Sequence, residues 1–452
     1  MINSQNEQNY IKEIQNNNST CDLLIISPSN FIRYLQPLVY HKNQYGVRTK
    51  LVSLDYIYNQ IWYGRDEAEK VKLFIKEAIE ESGIKYVLLV GGNIGLSNRW
   101  YCPVRYSHLS NDYEQQILSD LYFADIYDSE GNFSSWDSDG DGIYCEWIYG
   151  KQPEDKYLDL YPDVAIGRLP CKSSLEVKIM VRKIIRYEKT TYNKPWFKNM
   201  VAFAGDTYPE CNNPKWVGYE GEYYADLAFE NMTGFYQEKH YTSDGTLNNW
   251  SDINNALNKG WGFVYFNGHA NAVLWNTYYA NSTLRIGGYS IKRIRFLQNG
   301  DKLPICIVGG CHSSQFDVSL LKYFDKKLRN RGEGINECWS WIMTRKIGGG
   351  SIATIGITAL GFTKEDKESF KGGSCELEVQ FFKQYGQNNV DIIGDTWVAA
   401  VKWYIDTYKV DWNSELTNDS WIDTQVVQSW ALFGDPSLKI GGYPPSMLEA
   451  VE

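Results

Sequence analysis

A chain of 452 residues, 43% hydrophobic and 22% charged, has the apolar content to bury a large core; this excludes a disordered or fibrous protein and allows two or three domains or one two-lobed unit. Its 45 Lys and Arg against 55 Asp and Glu give a net charge of −10 with no basic run, which argues against nucleic acid as a partner. No apolar stretch reaches transmembrane length, and nine scattered cysteines without a CxxC pair leave neither a zinc ribbon nor a thioredoxin-like site.

Residues 1–20 are polar and Asn-rich, with no apolar core for a signal peptide, and read as a disordered leader. From Cys21 strands and helices alternate: a strand at Asp22–Ser27, an amphipathic helix at Phe31–Gln44, a strand at Thr49–Ser53, a helix at Asp66–Ser82 and a strand at Tyr86–Gly92. This rhythm predicts right-handed βαβ units on a parallel sheet. An aromatic, acidic, loop-rich insertion fills 93–160; Asp163–Leu169 then restores a strand, and Ser173 is placed to cap a helix running to Thr190. Lys194-Pro195-Trp196 marks a lobe boundary, giving an N-terminal α/β lobe over 21–194 and a second α/β lobe over 195–441. The second lobe begins with a strand at Met200–Asp206 and a Tyr-rich helix at Glu220–Glu230. It closes with a strand at Gly350–Gly356 and helices at Glu376–Tyr385 and Ile393–Tyr408, leaving 442–452 as a tail.

Within the insertion, Asp137, Asp139 and Asp141 alternate, Gly142 stands at position six and Ile143 offers its carbonyl at seven. Such a loop wraps a hard cation as calcium loops do, because three close aspartates repel one another without one. Position twelve is Ile148 and no helices flank the loop, so it is not an EF-hand; Glu146 is the candidate for the missing ligand. The expected cofactor is Ca²⁺.

Two apolar strands each end in a reactive side chain. Gly262–Phe266 leads into Asn267-Gly268-His269, and Pro304–Val308 leads into Gly309-Gly310-Cys311. Ligands of an open parallel sheet bind at the carboxyl ends of its strands, and an imidazole with a thiol there makes a cysteine nucleophile and its base. Either residue alone is more often a packed or solvated group; their shared placement favours function. Cys306, mid-strand, reads as core. His312 is a rival base, although its position next to Cys311 tends to point it away.

These stretches, in common order with Tyr86–Gly91, Ile166-Gly167-Arg168, Tyr187-Glu188 and Phe433–Leu438, resemble the gingipain family (peptidase family C25) of the caspase/legumain/clostripain clan, from about Cys21 to Ile440. The resemblance implies a caspase-like three-layer α/β sandwich, mostly parallel, in two side-by-side lobes, and a cysteine endopeptidase acting on proteins or peptides. It makes Cys311 the nucleophile, His269 the base and acid, and Asp206 the residue that orients the histidine, with the N–H groups of Gly268 and Cys311 as the oxyanion hole. Cleavage after Arg or Lys would use Phe362 as a pocket wall and Glu365, Asp366 or Glu220 as the partnering carboxylate. Calcium would be structural, the protein extracellular or on the cell surface, and self-processing part of its maturation. Ala270 departs from the glycine usual after the histidine. The competing readings are a non-catalytic, calcium-dependent binding protein on the same scaffold and a metal hydrolase using His269, Cys311 and His312.

Overall fold

The computed structural model describes residues 20–95, 99–207, 219–279, 282–363, 371–408 and 418–445. The leader, apart from Thr20, and the tail beyond Pro445 lie outside the described residues.

The first half contains β1 (Leu23–Ser27), α1 (Ile32–Gln44), β2 (Thr49–Ser53), α2 (Glu67–Ser82), β3 (Tyr86–Val90), β4 (Ala165–Leu169) and α3 (Ser174–Thr190). Local chemistry sets these bounds. Asp66 and Ser173 accept the N–H of Glu69 and Glu176, capping α2 and α3, and α2 stops at Gly83 in the left-handed region at φ 66°. The second half holds β5 (Asn199–Ala204), α4 (Glu220–Asn231), β6 (Tyr236–Tyr241), α5 (Trp250–Leu257), β7 (Phe263–Phe266) and a small antiparallel sheet, β8 (His269–Ala270), β9 (Leu274–Tyr278) and β10 (Arg285–Ser290). It continues with β11 (Ile305–Val308), α6 (Trp339–Arg345), β12 (Ala353–Ile357), α7 (Ser374–Gly386), α8 (Ile393–Tyr408), α9 (Asn418–Gln428) and β13 (Trp430–Phe433).

Ten strands form one sheet in the order β6-β5-β7-β11-β12-β13-β4-β3-β1-β2. All neighbours are parallel except β12 and β13, and β13 joins the two halves by lying against both β12 and β4. Alternate strand residues feed two separate cores, which makes three layers. Met200, Ala202, Phe263, Tyr265, Ile305 and Ile307 pack with α4 and α7 on one face. Val201, Phe203, Val264, Phe266, Cys306 and Val308 pack with α5 and α6 on the other. Cys306 is core, as its mid-strand position predicts.

The sequence pattern passes over the small sheet β8–β10 and two strands of the large one. Edge strand β6 is polar and largely exposed, so it lacks apolar alternation. Strand β13 is only four residues long, preceded directly by α9, and gives no periodic signal of its own. The chain stays packed past 441, since the Tyr443 ring stacks on Tyr45 with centroids 4.3 Å apart.

Candidate active site

The register of the sheet brings the two segments that carry the reactive residues to one edge. Strands β7 and β11 are parallel neighbours with Phe266 opposite Val308, so His269 and Cys311 each stand three residues beyond one paired position. Gly309 N–H donates to Phe266 O at 2.7 Å, keeping the strand ends in step. Gly310, at φ 112°, then turns against the histidine segment so closely that a Cβ there would fall 2.6 Å from Ala270 N and 2.8 Å from the His269 carbonyl carbon. The close approach is thus carried by Gly310. Ala270 sits in β8, paired with Trp275 in an ordinary extended conformation, so no glycine is demanded there.

His269 is half-buried, and its Nε2 lies 2.7 Å from Thr207 O. A carbonyl can only accept, so Nε2 carries the proton and Nδ1 keeps the lone pair. The Tyr278 ring meets the imidazole edge-on with centroids 5.4 Å apart. Burial pushes the imidazole below its ordinary pKa, with the Thr207 carbonyl pulling partly back and Arg285 lowering it further. Cys311 is the one partly exposed thiol among the described free cysteines. Burial raises its pKa, opposed by Gly361 N–H, which donates to Sγ at 3.3 Å. Both shifts favour the uncharged forms, a neutral imidazole and a neutral thiol.

Asp206 is buried in a two-way backbone bridge with Tyr278, its N–H 3.0 Å from Tyr278 O. It acts on His269 through charge, raising the imidazole pKa, while the orienting hydrogen bond comes from Thr207. Glu220, at the start of α4, is buried beside this segment; its Oε2 accepts from Thr207 N and Oγ1, each at 3.3 Å. Burial and the Asp206 carboxyl hydrogen-bonded to it push Glu220 above the ordinary carboxylate range. Of the other pocket candidates, Phe362 is half-buried with its ring edge-on to Trp421, centroids 5.9 Å apart. Glu365 and Asp366 lie outside the described residues.

Three groups escape the sequence reading. The Thr207 carbonyl has no side-chain signature. Glu378, on α7, sits against the Gly309 backbone and accepts from Tyr265 OH at 2.6 Å and Asn267 Nδ2 at 3.1 Å. Glu114, from the insertion, reaches the turn that carries Cys311: its Oε1 lies 3.3 Å from His312 Nε2.

In the acidic loop, carboxylate oxygens of Asp137, Asp139 and Asp155 converge within 4.8 Å of one another. The expected ligands Asp141, Ile143 and Glu146 stand outside this trio. The loop folds as a chain of aspartate turns, with Asp137 accepting from Gly140 N–H and Asp141 from Ile143 N–H, so Asp141 points along its own backbone. Asp155, far downstream, enters instead because its oxygens accept from Ser138 and Glu146 N–H at 2.5 and 2.8 Å. Arg65 compensates part of the charge at 2.6 Å from Asp137. Burial, then the Asp137 and Asp139 charges, still push Asp155 up to about 6, a surplus of negative charge on all-oxygen donors that fits a hard cation.

Residues 16–441 match the sequence model of peptidase family C25. Gingipain R2 of Porphyromonas gingivalis is 21% identical over 440 residues, covering 94% of this chain and 47% of that protein. A gingipain R1 of the same species is 22% identical over 440 residues, covering 94% and 35%. The chain therefore spans at most about half the length of these curated relatives. The crystal structure of the Arg-specific cysteine proteinase gingipain R aligns with a TM-score of 0.62 at 19% identity, over 94% of this chain and 79% of that one. The complex of the RgpB pro- and mature domains aligns at 0.60 and 18% identity, over 93% and 79%. At these identities the likeness shows the fold, a caspase-like α/β sandwich.

Proposed function

The chain belongs to peptidase family C25, and on that premise we propose that it is a cysteine endopeptidase acting through Cys311 and His269. The observation that carries the proposal is the register of β7 and β11, which delivers thiol and imidazole to one edge at equal offsets. In this reading His269 Nδ1 takes the thiol proton as Sγ attacks the scissile carbonyl. The proton passes to the leaving amine as the C–N bond breaks, leaving a thioester. Water, deprotonated by Nδ1, then attacks the thioester and releases the acid and the thiol. Donors for the oxyanion are the N–H groups of Gly268 and Cys311, each worth about 3 kcal/mol in comparable holes. Asp206 supports the imidazolium by its charge.

For the residue preceding the cleaved bond we propose Arg or Lys. Support comes from the Arg-specific fold relative and from Phe362 followed by Glu365 and Asp366. Glu220, enclosed by Thr207 and Asp206, serves the histidine's side of the site in this reading. We further propose a structural calcium held by Asp137, Asp139 and Asp155. A secreted or surface location, and self-processing of the kind a pro- and mature-domain complex suggests, complete the proposal.

A peptide-library digest with calcium present tests the reaction. The expected result is cleavage after Arg or Lys that disappears in Cys311→Ala. Cleavage that survives Cys311→Ala overturns the mechanism, and absence of any cleavage favours the calcium-dependent binding protein.

A further inference from the structure

The turn that carries the nucleophile is held by three consecutive residues beyond β12. Ala359 O accepts from His312 N–H at 2.7 Å. Leu360 N–H donates to Glu114 Oε2 at 3.0 Å. Gly361 N–H donates to Cys311 Sγ at 3.3 Å. Glu114 closes the circuit, because its other oxygen lies 3.3 Å from His312 Nε2. One buried carboxylate therefore grips both the residue after the nucleophile and the peptide before the sulfur's N–H donor. Gln425 braces the same point, donating to Leu360 O at 3.1 Å and reaching Glu114 Oε2 at 3.5 Å.

The grip opposes a real strain. His312 has φ 56°, a left-handed backbone that is unfavourable for a side-chain-bearing residue and persists only when its surroundings fix it. Glu114 is fixed in turn: its N–H donates to Asn111 Oδ1 at 3.0 Å and its carbonyl accepts from Asn111 N–H at 2.8 Å. Asn111 directly follows the short strand Leu109–Ser110, which pairs with Trp147–Ile148.

We propose that Glu114 is a positioning residue for the nucleophile, holding Leu360 and His312 so that Gly361 N–H stays on the Cys311 sulfur and stabilises its thiolate. The inference rests on Cys311 being the nucleophile and deepens that reading. It gives the insertion a part in the chemistry and His312 a role other than base or metal ligand. The groups acting on the sulfur are the Gly361 N–H and, by charge, Glu114 from the insertion, with Arg331 acting on Glu114 by charge, while Gly310 turns against the His269 backbone on the other side. Glu114 has two opposed effects there. Its charge disfavours the thiolate, and its hydrogen bonds keep the thiolate's donor in place.

Two substitutions separate these effects in the pH profile of Cys311 alkylation by iodoacetamide, with thermal unfolding as the check on folding. Glu114→Gln removes the charge and keeps an acceptor for Leu360 N–H, so the profile moves to lower pH or stays. Glu114→Ala removes both, so the profile moves up by about one unit, an approximately tenfold slower reaction at neutral pH. Peptide turnover falls with it, in kcat more than in KM. If Glu114→Ala does not fold, His312→Ala breaks the other arm and is expected to shift the profile upward as well. Glu114→Ala with the unaltered profile, or both Glu114 variants shifted down together, overturns the proposal while Cys311 still labels. No labelling of Cys311 in the unaltered protein overturns the peptidase reading itself, and this inference with it.

Discussion

Glu378 is fully buried beneath the end of β11, with Oε1 lacking a partner among the described residues. Burial pushes its carboxyl up to about 8, against the Tyr265 and Asn267 hydrogen bonds that favour ionisation. The folded protein thus keeps a proton that an unfolded chain releases near pH ~4.3, so the group's stabilisation is complete in acid and fades as pH rises toward 8. Glu378→Gln mimics the protonated form. Its gain in urea stability over the unaltered protein is expected to be small near pH 5 and to grow to roughly 3–4 kcal/mol at pH 7; a gain that does not change with pH would show the carboxyl to be ionised. At this scale the placement of His269 and Cys311 beyond the ends of neighbouring strands is legible, because each follows an apolar strand and a glycine. Thr207, Glu114 and Glu378 were not. One acts through a backbone carbonyl, and the other two reach the site across long stretches of sequence, so no local pattern marks them.

Between elements, the fold is locked by a charged cluster inside the core. Glu188, at the end of α3, accepts from Lys42 Nζ at 2.7 Å and from Lys439 N–H at 2.9 Å, and lies 2.8 Å from His41 Nε2. Lys42, on α1, also lies 2.8 Å from Asp435 Oδ2, just beyond β13. The cluster ties two helices of the first half to the strand that joins the halves. Lys42→Met leaves two buried carboxylates facing each other and is expected to cost about 3–5 kcal/mol in urea unfolding; a loss under 1 kcal/mol would mean the cluster is dispensable. Burial raises the Glu188 pKa, but Lys42 and His41 outweigh it and hold the group below its ordinary value. Its contribution is therefore present above the ordinary glutamate pKa and lost as pH falls through the depressed one. The same cluster gives physical content to the Phe433–Leu438 and Tyr187-Glu188 stretches. Asp435 and Glu188 are its acids, and Gly167 lacks a Cβ because one there would fall 2.5 Å from Gly434 O. Those residues could be read as a family mark but not as contacts, because their partners are hundreds of positions away.

For the whole molecule, alternating strand and helix signals were enough to anticipate a mostly parallel α/β sandwich, since buried parallel strands read as continuous apolar runs. The joining of both halves into one sheet was not legible, because it depends on the short strand β13, antiparallel to β12 and parallel to β4. Spacing marks the acidic loop but not the approach of Asp155 to Asp137 and Asp139, because chain folding, and not spacing, brings them together. If that trio holds calcium, adding calcium to chelator-treated protein raises the unfolding midpoint, a stabilisation of about 2.7 kcal/mol at a hundredfold excess over Kd, and Asp155→Asn removes most of the rise. An equal rise in both proteins would place the ion elsewhere. The most direct test of the Cys311–His269 pair is mass spectrometry after brief, sub-stoichiometric treatment with iodoacetamide. Labelling concentrated at Cys311, and strongly reduced by His269→Ala, is the predicted result. Labelling of Cys311 that is absent, or indifferent to the loss of His269, would contradict it.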